Sequence, residues 1–265
     1  MIRTRDQWRG TARELAAAVA RGEVLRVGRY YVSPDAPQEI RAALAEGLRP
    51  TCTTAAEQHG LWVPPVAGVH VYSRRGSTPP GFVGHGWHHR WPEDSAVASP
   101  QLALKHAMGC LDPLDVGIIV DSALHQGLLG AQQVRDLAEG APRGVARVLA
   151  RASGLAQSGT ESKARLFMQL HNVTVTPQVE IDGVGRVDNL AGRRWILECD
   201  SRAHHTGVTT YATDRARDLR ALELGYFTTR LTHWMVFAGW RRTSDTLLRV
   251  IRSGRHLDPP ERWAL

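Results

Sequence analysis

The 265-residue chain has few cysteines, few lysines and no long apolar run. Its three cysteines, Cys52, Cys110 and Cys199, are widely spaced and form no CxxC pair, which argues against a disulfide framework and against a zinc site. No apolar run approaches the length that a membrane span needs, and no secretory signal peptide is recognisable at the N-terminus. We therefore expect a cytoplasmic protein that does not bind membranes.

The basic residues are almost all arginine. Among the 33 lysines and arginines, only Lys105 and Lys163 are lysine, and the formal net charge of the chain is +7. A positive excess of this kind is typical of proteins that bind an anionic partner such as nucleic acid. The preference for arginine has a second explanation in GC-rich codon usage, although arginine also binds phosphate well. The charge is therefore weak support for nucleic-acid binding.

Three carboxylates stand in one short segment of the C-terminal half. Residues 186–200 are typical of two short strands around a Gly-Arg-Arg turn, and they carry Asp188, Glu198 and Asp200. If the hairpin is centred near Arg193, Asp188 lies opposite Glu198, and strand alternation places Glu198 and Asp200 on one face. Carboxylates that converge at a strand end are typical of a Mg²⁺ site. A surface hairpin with ordinary acidic residues is an equal alternative for this segment taken alone.

The flanking segments favour the metal site through a resemblance. Glu161 lies on a predicted amphipathic helix, and a helical stretch from Asp214 to Gly225 precedes a predicted strand, residues 226–231. The resulting order helix–strand–strand–strand–helix–strand resembles the PD-(D/E)XK nuclease fold, and its details resemble the branch related to very-short-patch-repair endonucleases (Vsr-like). The residues that carry the resemblance lie within roughly residues 155–240: Glu161-Ser162, Arg165, Pro177-Gln178, Val187-Asp188, Glu198-Cys199-Asp200, His204-His205, Asp214, Arg217-Asp218, Gly225-Tyr226 and Arg230.

The resemblance implies metal-assisted hydrolysis of DNA phosphodiester bonds. It implies that Mg²⁺ or Mn²⁺ binds to Asp188, Glu198 and the carbonyl of Cys199, and that Glu161 completes the site from the helix. The residues that would position or deprotonate water are Asp200, His204 and His205. The positive charge for the phosphate would come from Arg217 and Arg230.

Each of these residues also has a structural interpretation. Ser158-x-x-Glu161 is a capping box, which by itself explains a glutamate at that position. Asp214 and Arg217 are i,i+3 neighbours, and a surface ion pair is the favoured interpretation for them. The two histidines could be ordinary loop residues, and Arg230 could be solvated. Two departures from the family pattern also matter, because Ser201 replaces a glycine and Asp200 stands where the wider fold carries lysine.

The N-terminal segment combines a helix with a basic hairpin. Thr11-x-x-Glu14 is a capping box that begins a predicted helix, and the residues that follow, 21–32, are typical of a turn and a β-hairpin. The pattern resembles the winged-helix domain at the start of AbiEi-type antitoxins, which implies that the hairpin contacts DNA phosphates through Arg21, Arg26 and Arg29. The alternative is a small helix and hairpin that only pack on the next domain.

The middle region resembles the middle region of the same antitoxin-like proteins. Its segment His85-Gly86-Trp87-His88-His89 raises the possibility of a metal cluster, which we disfavour because no Cys, Asp or Glu nearby closes a ligand set. The expected fold is therefore α/β with three parts. These are a small winged-helix-like domain (residues 1–35), an α+β antitoxin-like middle domain (36–153) and a restriction-endonuclease-like, Vsr-like domain (154–265).

The sequence therefore predicts a metal-dependent DNA endonuclease or nickase that acts in repair or defence on double-stranded DNA. The alternative is a non-catalytic DNA-binding regulator or antitoxin with a degenerate nuclease domain and a toxin partner. The three carboxylates favour the enzyme, whereas the missing lysine and the antitoxin-like front favour the regulator. The oligomeric state is left open.

Overall fold

A computed structural model describes residues 2–74, 76–86, 88–200 and 208–260, with the backbone alone for Asp200 and residues 208–214. Within these ranges the chain has a mixed α/β fold with three small sheets. Its contacts divide into two compact units, Met1–Leu111 and Asp112–Leu265. The division into three domains at residues 35 and 153 remains a prediction. No helix in the described part of the chain is both long and apolar enough to cross a bilayer.

The first unit contains two small sheets and four helices in its described residues. One sheet is antiparallel with the order β1-β3-β2, and the other has the order β4-β5-β6, with β4 antiparallel and β6 parallel to β5. The elements in chain order are β1 (Ile2–Thr4), α1 (Ala12–Ala20), β2 (Leu25–Val27), β3 (Tyr30–Val32), α2 (Gln38–Ala45), β4 (Arg49–Pro50), α3 (Cys52–Gln58), β5 (Val69–Tyr72), β6 (Phe82–His85) and α4 (Pro100–Ala107).

The predicted N-terminal helix and hairpin are both present. Thr11 and Glu14 form the predicted capping box, in which each side chain accepts a hydrogen bond from the backbone N–H of the other. Strands β2 and β3 pair across a tight loop in which Gly28 has a φ of 56°, a left-handed value that glycine adopts without steric cost. Tyr30 of β3 packs against Ile40 of α2 in a small apolar cluster. These contacts establish a helix–hairpin unit, whereas its winged-helix identity remains a prediction.

The second unit is built on one four-stranded sheet of order β10-β9-β8-β7. Strands β7, β8 and β9 are antiparallel neighbours, and β10 runs parallel to β9. The elements in chain order are α5 (Pro113–His125), α6 (Ala131–Glu139), α7 (Arg143–Leu149), α8 (Gly159–Leu170), β7 (Val175–Ile181), β8 (Gly185–Ala191), β9 (Trp195–Asp200), α9 (Val208–Glu223), β10 (Phe227–Thr232), α10 (His233–Val236) and α11 (Trp240–Arg252). From α8 to β10 this is the predicted order helix–strand–strand–strand–helix–strand.

Both faces of this sheet are covered by helices. Trp195, Leu197 and Cys199 alternate along β9 on the face that packs with buried residues of α8, α10 and α11. On the opposite face, Ile196 packs with Ala221 of α9. The predicted alternation along this strand is therefore present, and it turns Glu198 towards the α9 face, the same face as Ile196.

A buried ion pair connects α8 to α5. The guanidinium of Arg165 contacts the carboxylate of Asp121, and both side chains are almost fully buried. Arg165 also donates to the carbonyl of Arg151, and Asp121 accepts from the backbone N–H of Ser153. Nearby, a methyl group on Gly117 would lie 2.4 Å from a Leu166 carbon, so glycine permits the close approach of the two helices. Arg165 thus has a structural role in α8.

Candidate functional site

The hairpin of β8 and β9 brings two of the predicted metal ligands into contact. Asn189 pairs with Leu197, so the next position along the ladder places Asp188 beside Glu198, as the pattern predicts. The backbone N–H of Asp188 donates to Oε2 of Glu198 at 3.3 Å. The backbone N–H of Cys199 donates to Oδ2 of Asp188 at 2.8 Å. Cys199 therefore orients Asp188, and the ligation of a metal by its carbonyl remains a prediction.

Glu161 is held in place by donors from two elements. Ser158 caps α8 by accepting a hydrogen bond from the backbone N–H of Glu161, so the capping interpretation is confirmed for Ser158. The carboxylate of Glu161 accepts from the Ser158 hydroxyl at 2.9 Å and from the Gln157 N–H at 2.9 Å. It also accepts from the side-chain amide of Gln178 on β7 at 2.8 Å. Capping accounts for part of these contacts, and the bond from Gln178 links this helix to the sheet.

Gln178 has an unusual backbone conformation at this point of the sheet. Pro177 pairs with Asn189 and Val179 with Val187, so Gln178 lies at the level of Asp188. Its φ is 52°, a left-handed value that costs a residue with a Cβ about 1–2 kcal/mol. The side-chain amide contacts Glu161, and its oxygen accepts from Nε of Arg186 at 2.7 Å. Strained residues of this kind are frequent at functional sites.

Two carboxylates at this site have a raised pKa because they are buried and lie near the charge of Asp188. Burial, followed by the charge of Asp188, raises the pKa of Glu198 to about 7. Burial and the charge of Asp188 also raise the pKa of Glu161, although its hydrogen bonds oppose the change. The guanidinium of Arg217 lies 3.6 Å from Glu198 and lowers the Glu198 pKa in part. The site thus concentrates more negative charge than its neighbours offset, a condition that favours protons or cations.

The two predicted phosphate-binding arginines of this unit already have protein partners. Arg217 donates to the carbonyls of Val184 and Arg186 at 3.1 and 2.6 Å, in addition to its contact with Glu198. Arg230 forms a two-bond ion pair with Asp218, at 2.8 and 3.2 Å. Their contact with phosphate remains a prediction. The side chains of Asp200 and Asp214, and residues His204 and His205, lie outside what the structure describes.

The first unit presents arginines on its surface. Arg21, Arg26 and Arg29 are all exposed, as a DNA-contacting hairpin requires. Arg21 forms an ion pair with Glu23 at 2.6 Å, and the guanidinium of Arg29 lies over the ring of Tyr30. A cleft in the same unit is lined by further cationic and aromatic side chains: Arg29, Arg49, Arg74, Arg90, Tyr72 and Trp91.

A second cluster in the first unit was not predicted from the sequence. Cys52, His70, His85 and Cys110 bring one ligand atom each to within 4.8 Å of one another. A metal ion can be held by three or more cysteine, histidine or acidic side chains that lie close together. Among the described residues, these four form such a group. The wide spacing of the cysteines argued against a zinc site at Cys52 and Cys110. The fold nevertheless brings both cysteines together with two histidines, so spacing alone was misleading here. The carboxylates of the second unit whose side chains the structure describes do not form such a group of three.

The cluster was missed because its members come from four separate places in the chain. Cys52 begins α3, His70 and His85 lie on β5 and β6, and Cys110 follows α4. Motif searches look for paired ligands a few residues apart, and none of these four residues is part of such a pair. In the sequence, His85 stands closest to His88 and His89, whereas its partner His70 lies fifteen residues away. The sequence feature that could have indicated this cluster was the presence of isolated cysteines near predicted strands that carry histidines.

The thiol groups of the cluster are not equivalent. A hydrogen bond from the Cys52 thiol lowers the pKa of Cys110, and His70 and His85 lower it further. The same bond and burial raise the pKa of Cys52. Next to the cluster, His106 bonds to Thr51 and His89 at 2.7 and 2.9 Å, and burial lowers the pKa of His106 to about 4. His70 thus lies 3.7 Å from the sulfur of Cys110, and the ring of His85 stacks on that of His106.

Comparison with known proteins gives no relative. No family model matches the chain, and neither the curated proteins nor the solved structures contain a match. The nuclease-like and antitoxin-like resemblances therefore remain predictions from sequence motifs.

Proposed function

We propose that the chain is a metal-dependent DNA endonuclease or nickase whose active site lies at Asp188 and Glu198. The observation that supports this most is that β8 and β9 place Asp188 beside Glu198, where burial and then the charge of Asp188 raise the pKa of Glu198 to about 7. A buried carboxylate beside a second negative charge is costly unless a proton or a cation offsets it. The order of elements around them supports assignment to the PD-(D/E)XK, Vsr-like nuclease fold.

The donor set suits a hard cation. Asp188 and Glu198 offer carboxylate oxygens, which are the ligands that Mg²⁺ and Mn²⁺ prefer. Glu161 is not close enough to form a three-ligand group with both, so we assign it to orienting water at the site. Its own position is maintained by Ser158 and Gln178. When bound, the metal would polarise a phosphoryl oxygen and lower the pKa of water.

The remaining steps are assigned to this chain's own side chains. Arg217, 3.6 Å from Glu198, would supply positive charge to an approaching phosphate. Proton acceptance from water is proposed for Asp200, His204 or His205, the residues for which the sequence resemblance implies it. The N-terminal hairpin, with Arg26 exposed on β2, would contact the DNA backbone.

A second function is favoured by the state of the arginines. Arg230 is neutralised by Asp218, and Arg217 donates to two backbone carbonyls, so part of the cationic capacity near the carboxylates is already used. This arrangement supports a non-catalytic DNA-binding regulator or antitoxin, in which the carboxylates are remnants of an active site. A protein toxin would be the partner in that case.

Cleavage and binding assays on the same protein separate the two functions. Supercoiled plasmid, mismatched duplex and single-stranded DNA are incubated with the full chain and Mg²⁺ or Mn²⁺, and binding to the same DNAs is measured at fixed salt. The enzyme hypothesis predicts cleavage that Glu198→Gln and Asp188→Asn reduce by orders of magnitude, without loss of DNA affinity. Glu180→Gln is the matched control, because Glu180 is an exposed glutamate on β7 of the same sheet. DNA binding without cleavage of any substrate would support the regulator instead.

A further inference from the structure

The Cys/His cluster of the first unit is formed by the fold rather than by a local motif. His70 pairs with Val83 and Tyr72 pairs with His85, so the two histidines project from neighbouring parallel strands at positions two residues apart. Nδ1 of His70 lies 3.1 Å from Nε2 of His85. Cys52 lies at the start of α3. The residue before it, Thr51, donates its backbone N–H to the carbonyl of His70, which holds this end of α3 beside β5.

The distances between the donor atoms are close to those of a tetrahedral zinc site. Zinc–nitrogen bonds of about 2.0–2.1 Å and zinc–sulfur bonds of about 2.3 Å imply separations between ligand atoms of about 3.3–3.8 Å. The two imidazole nitrogens are 3.1 Å apart, and Sγ of Cys110 is 3.7 Å from Nδ1 of His70. All four donor atoms lie within 4.8 Å of one another. Small adjustments of the side chains would therefore complete a coordination shell.

Two further observations indicate a built site. Cys52 is fully buried, and His70 and His85 are 3% and 7% exposed. Three of the four ligand residues are therefore shielded from water. The backbone of Cys52 has a φ of 48°, which a residue with a Cβ adopts only where its surroundings demand it. His70 is also secured from outside the cluster, because its backbone N–H donates to the hydroxyl of Thr54 at 2.8 Å.

We propose that Cys52, His70, His85 and Cys110 bind one zinc ion with a structural role in the first unit. Two thiolates and two imidazoles are a ligand set that selects zinc over Mg²⁺ or Mn²⁺, which prefer oxygen. Four protein ligands close the shell and leave no position for substrate, which is the arrangement of structural zinc. The ion connects α3, the two strands and the turn after α4. The proposal is independent of the nuclease site.

Metal content is the direct test. The full-length chain, purified without chelator and dialysed into metal-free buffer, is expected to retain about one zinc per chain by elemental analysis. Cys110→Ser and His85→Asn are expected to retain well under half of that amount. Cys199→Ser is the matched control, because it removes the one cysteine that lies outside the cluster, and it should retain its zinc. Equal loss of zinc in the control would overturn the assignment.

A second measurement does not depend on the folding of the variants. Co²⁺ added to the metal-depleted wild-type chain should give the strong visible bands of tetrahedral cobalt and a thiolate-to-cobalt charge-transfer band, both of which zinc then removes. The exposed Cys110 should react with a thiol reagent in the depleted protein and be protected after zinc is added. A folded wild-type chain that binds neither metal would overturn the proposal, as would a Cys52–Cys110 disulfide detected by mass spectrometry in protein purified without oxidant.

Discussion

At the scale of single residues, the second unit contains buried charge of two kinds. Arg165 and Asp121 neutralise each other with good geometry and further backbone hydrogen bonds, which is how a buried ion pair is tolerated. Asp188 and Glu198 have the same sign, and Arg217 lies 3.6 Å from Glu198. The first pair is explained by stability alone. The second costs stability, and such a cost is typical of functional sites.

The cost at Glu198 predicts a stability change that depends on pH. Because its pKa in the folded chain is about 7, above the ordinary 4.5, the stabilising contribution of the protonated form is complete below about pH 4.5 and is lost as the pH rises to about 7. At pH 8 without metal, Glu198→Gln should therefore raise the free energy of unfolding by up to about 3 kcal/mol. At pH 4 the gain should vanish. Urea denaturation at both pH values, with Glu180→Gln as the control, measures it.

Metal should reverse the effect of this substitution. Added Mg²⁺ or Mn²⁺ at pH 8 is expected to stabilise the wild-type chain and to leave Glu198→Gln unchanged, because the ligand is lost. Affinity for the metal should rise about tenfold per pH unit up to about pH 7 and then level off, since one proton is displaced. A wild-type chain at least as stable as Glu198→Gln at pH 8 without metal would contradict the electrostatic account.

At the scale of elements, the β7–β8 hairpin positions the site through one strained residue. Gln178 combines a left-handed backbone with the amide that bonds to Glu161. Replacing Gln178 removes the hydrogen bond to Glu161 and can also remove the backbone strain. The two effects can be separated because glycine tolerates this backbone conformation whereas alanine does not. The hairpin is therefore suited to a matched pair of substitutions.

Gln178→Gly should be more stable than Gln178→Ala by about 1 kcal/mol, since both lose the bond to Glu161 and glycine alone relieves the strain. Both variants should lose the same fraction of any metal-dependent cleavage, because the side-chain amide is missing from each. Thermal denaturation and the plasmid assay provide the two readouts. Wild-type cleavage in both variants would show that Gln178 does not position Glu161 for catalysis.

The basic hairpin of the first unit makes a separate prediction. Arg26→Ala combined with Arg29→Ala should weaken DNA binding to a similar degree on every sequence and should reduce the salt dependence by about two phosphate contacts. The arginine-lined cleft that includes Arg49 and Arg74 would account for the remaining affinity. Arg135→Ala, an exposed arginine on α6, is the control for the change in charge. Unchanged DNA affinity in the double variant would show that the hairpin only packs against the rest of the unit.

At the scale of the whole molecule, the two units offer two different metal chemistries. The first brings together sulfur and nitrogen donors, and the second brings together carboxylate oxygens. Removal of all metal with a strong chelator should abolish cleavage and also lower the melting temperature. Zinc alone should then restore the part of the melting temperature that depends on the first unit, and Mg²⁺ alone should add only the stabilisation expected at the carboxylates of the second unit. Cleavage should return with Mg²⁺ or Mn²⁺ and should not return with zinc alone. Full thermal recovery with Mg²⁺ alone would contradict two separate sites.

Local patterns in the sequence were sufficient to predict several helices and strands and one contact between side chains. The capping box of α1, the alternation along β9 and the order from α8 to β10 follow from hydrophobic periodicity and turn residues, which act over a few neighbouring positions. Asp188 and Glu198 could be paired from the sequence because a hairpin with a known turn has a defined register. The metal-binding role of this pair and its link to DNA stay predictions.

The tertiary structure alone decided which distant side chains meet. Cys52, His70, His85 and Cys110 converge only because α3, β5, β6 and the turn after α4 pack together, and no local spacing records that packing. The contact of Gln178 with Glu161 and the pairing of Arg230 with Asp218 likewise join separate elements. Periodicity determines which face a residue occupies, whereas the partner across that face depends on the packing of the whole chain.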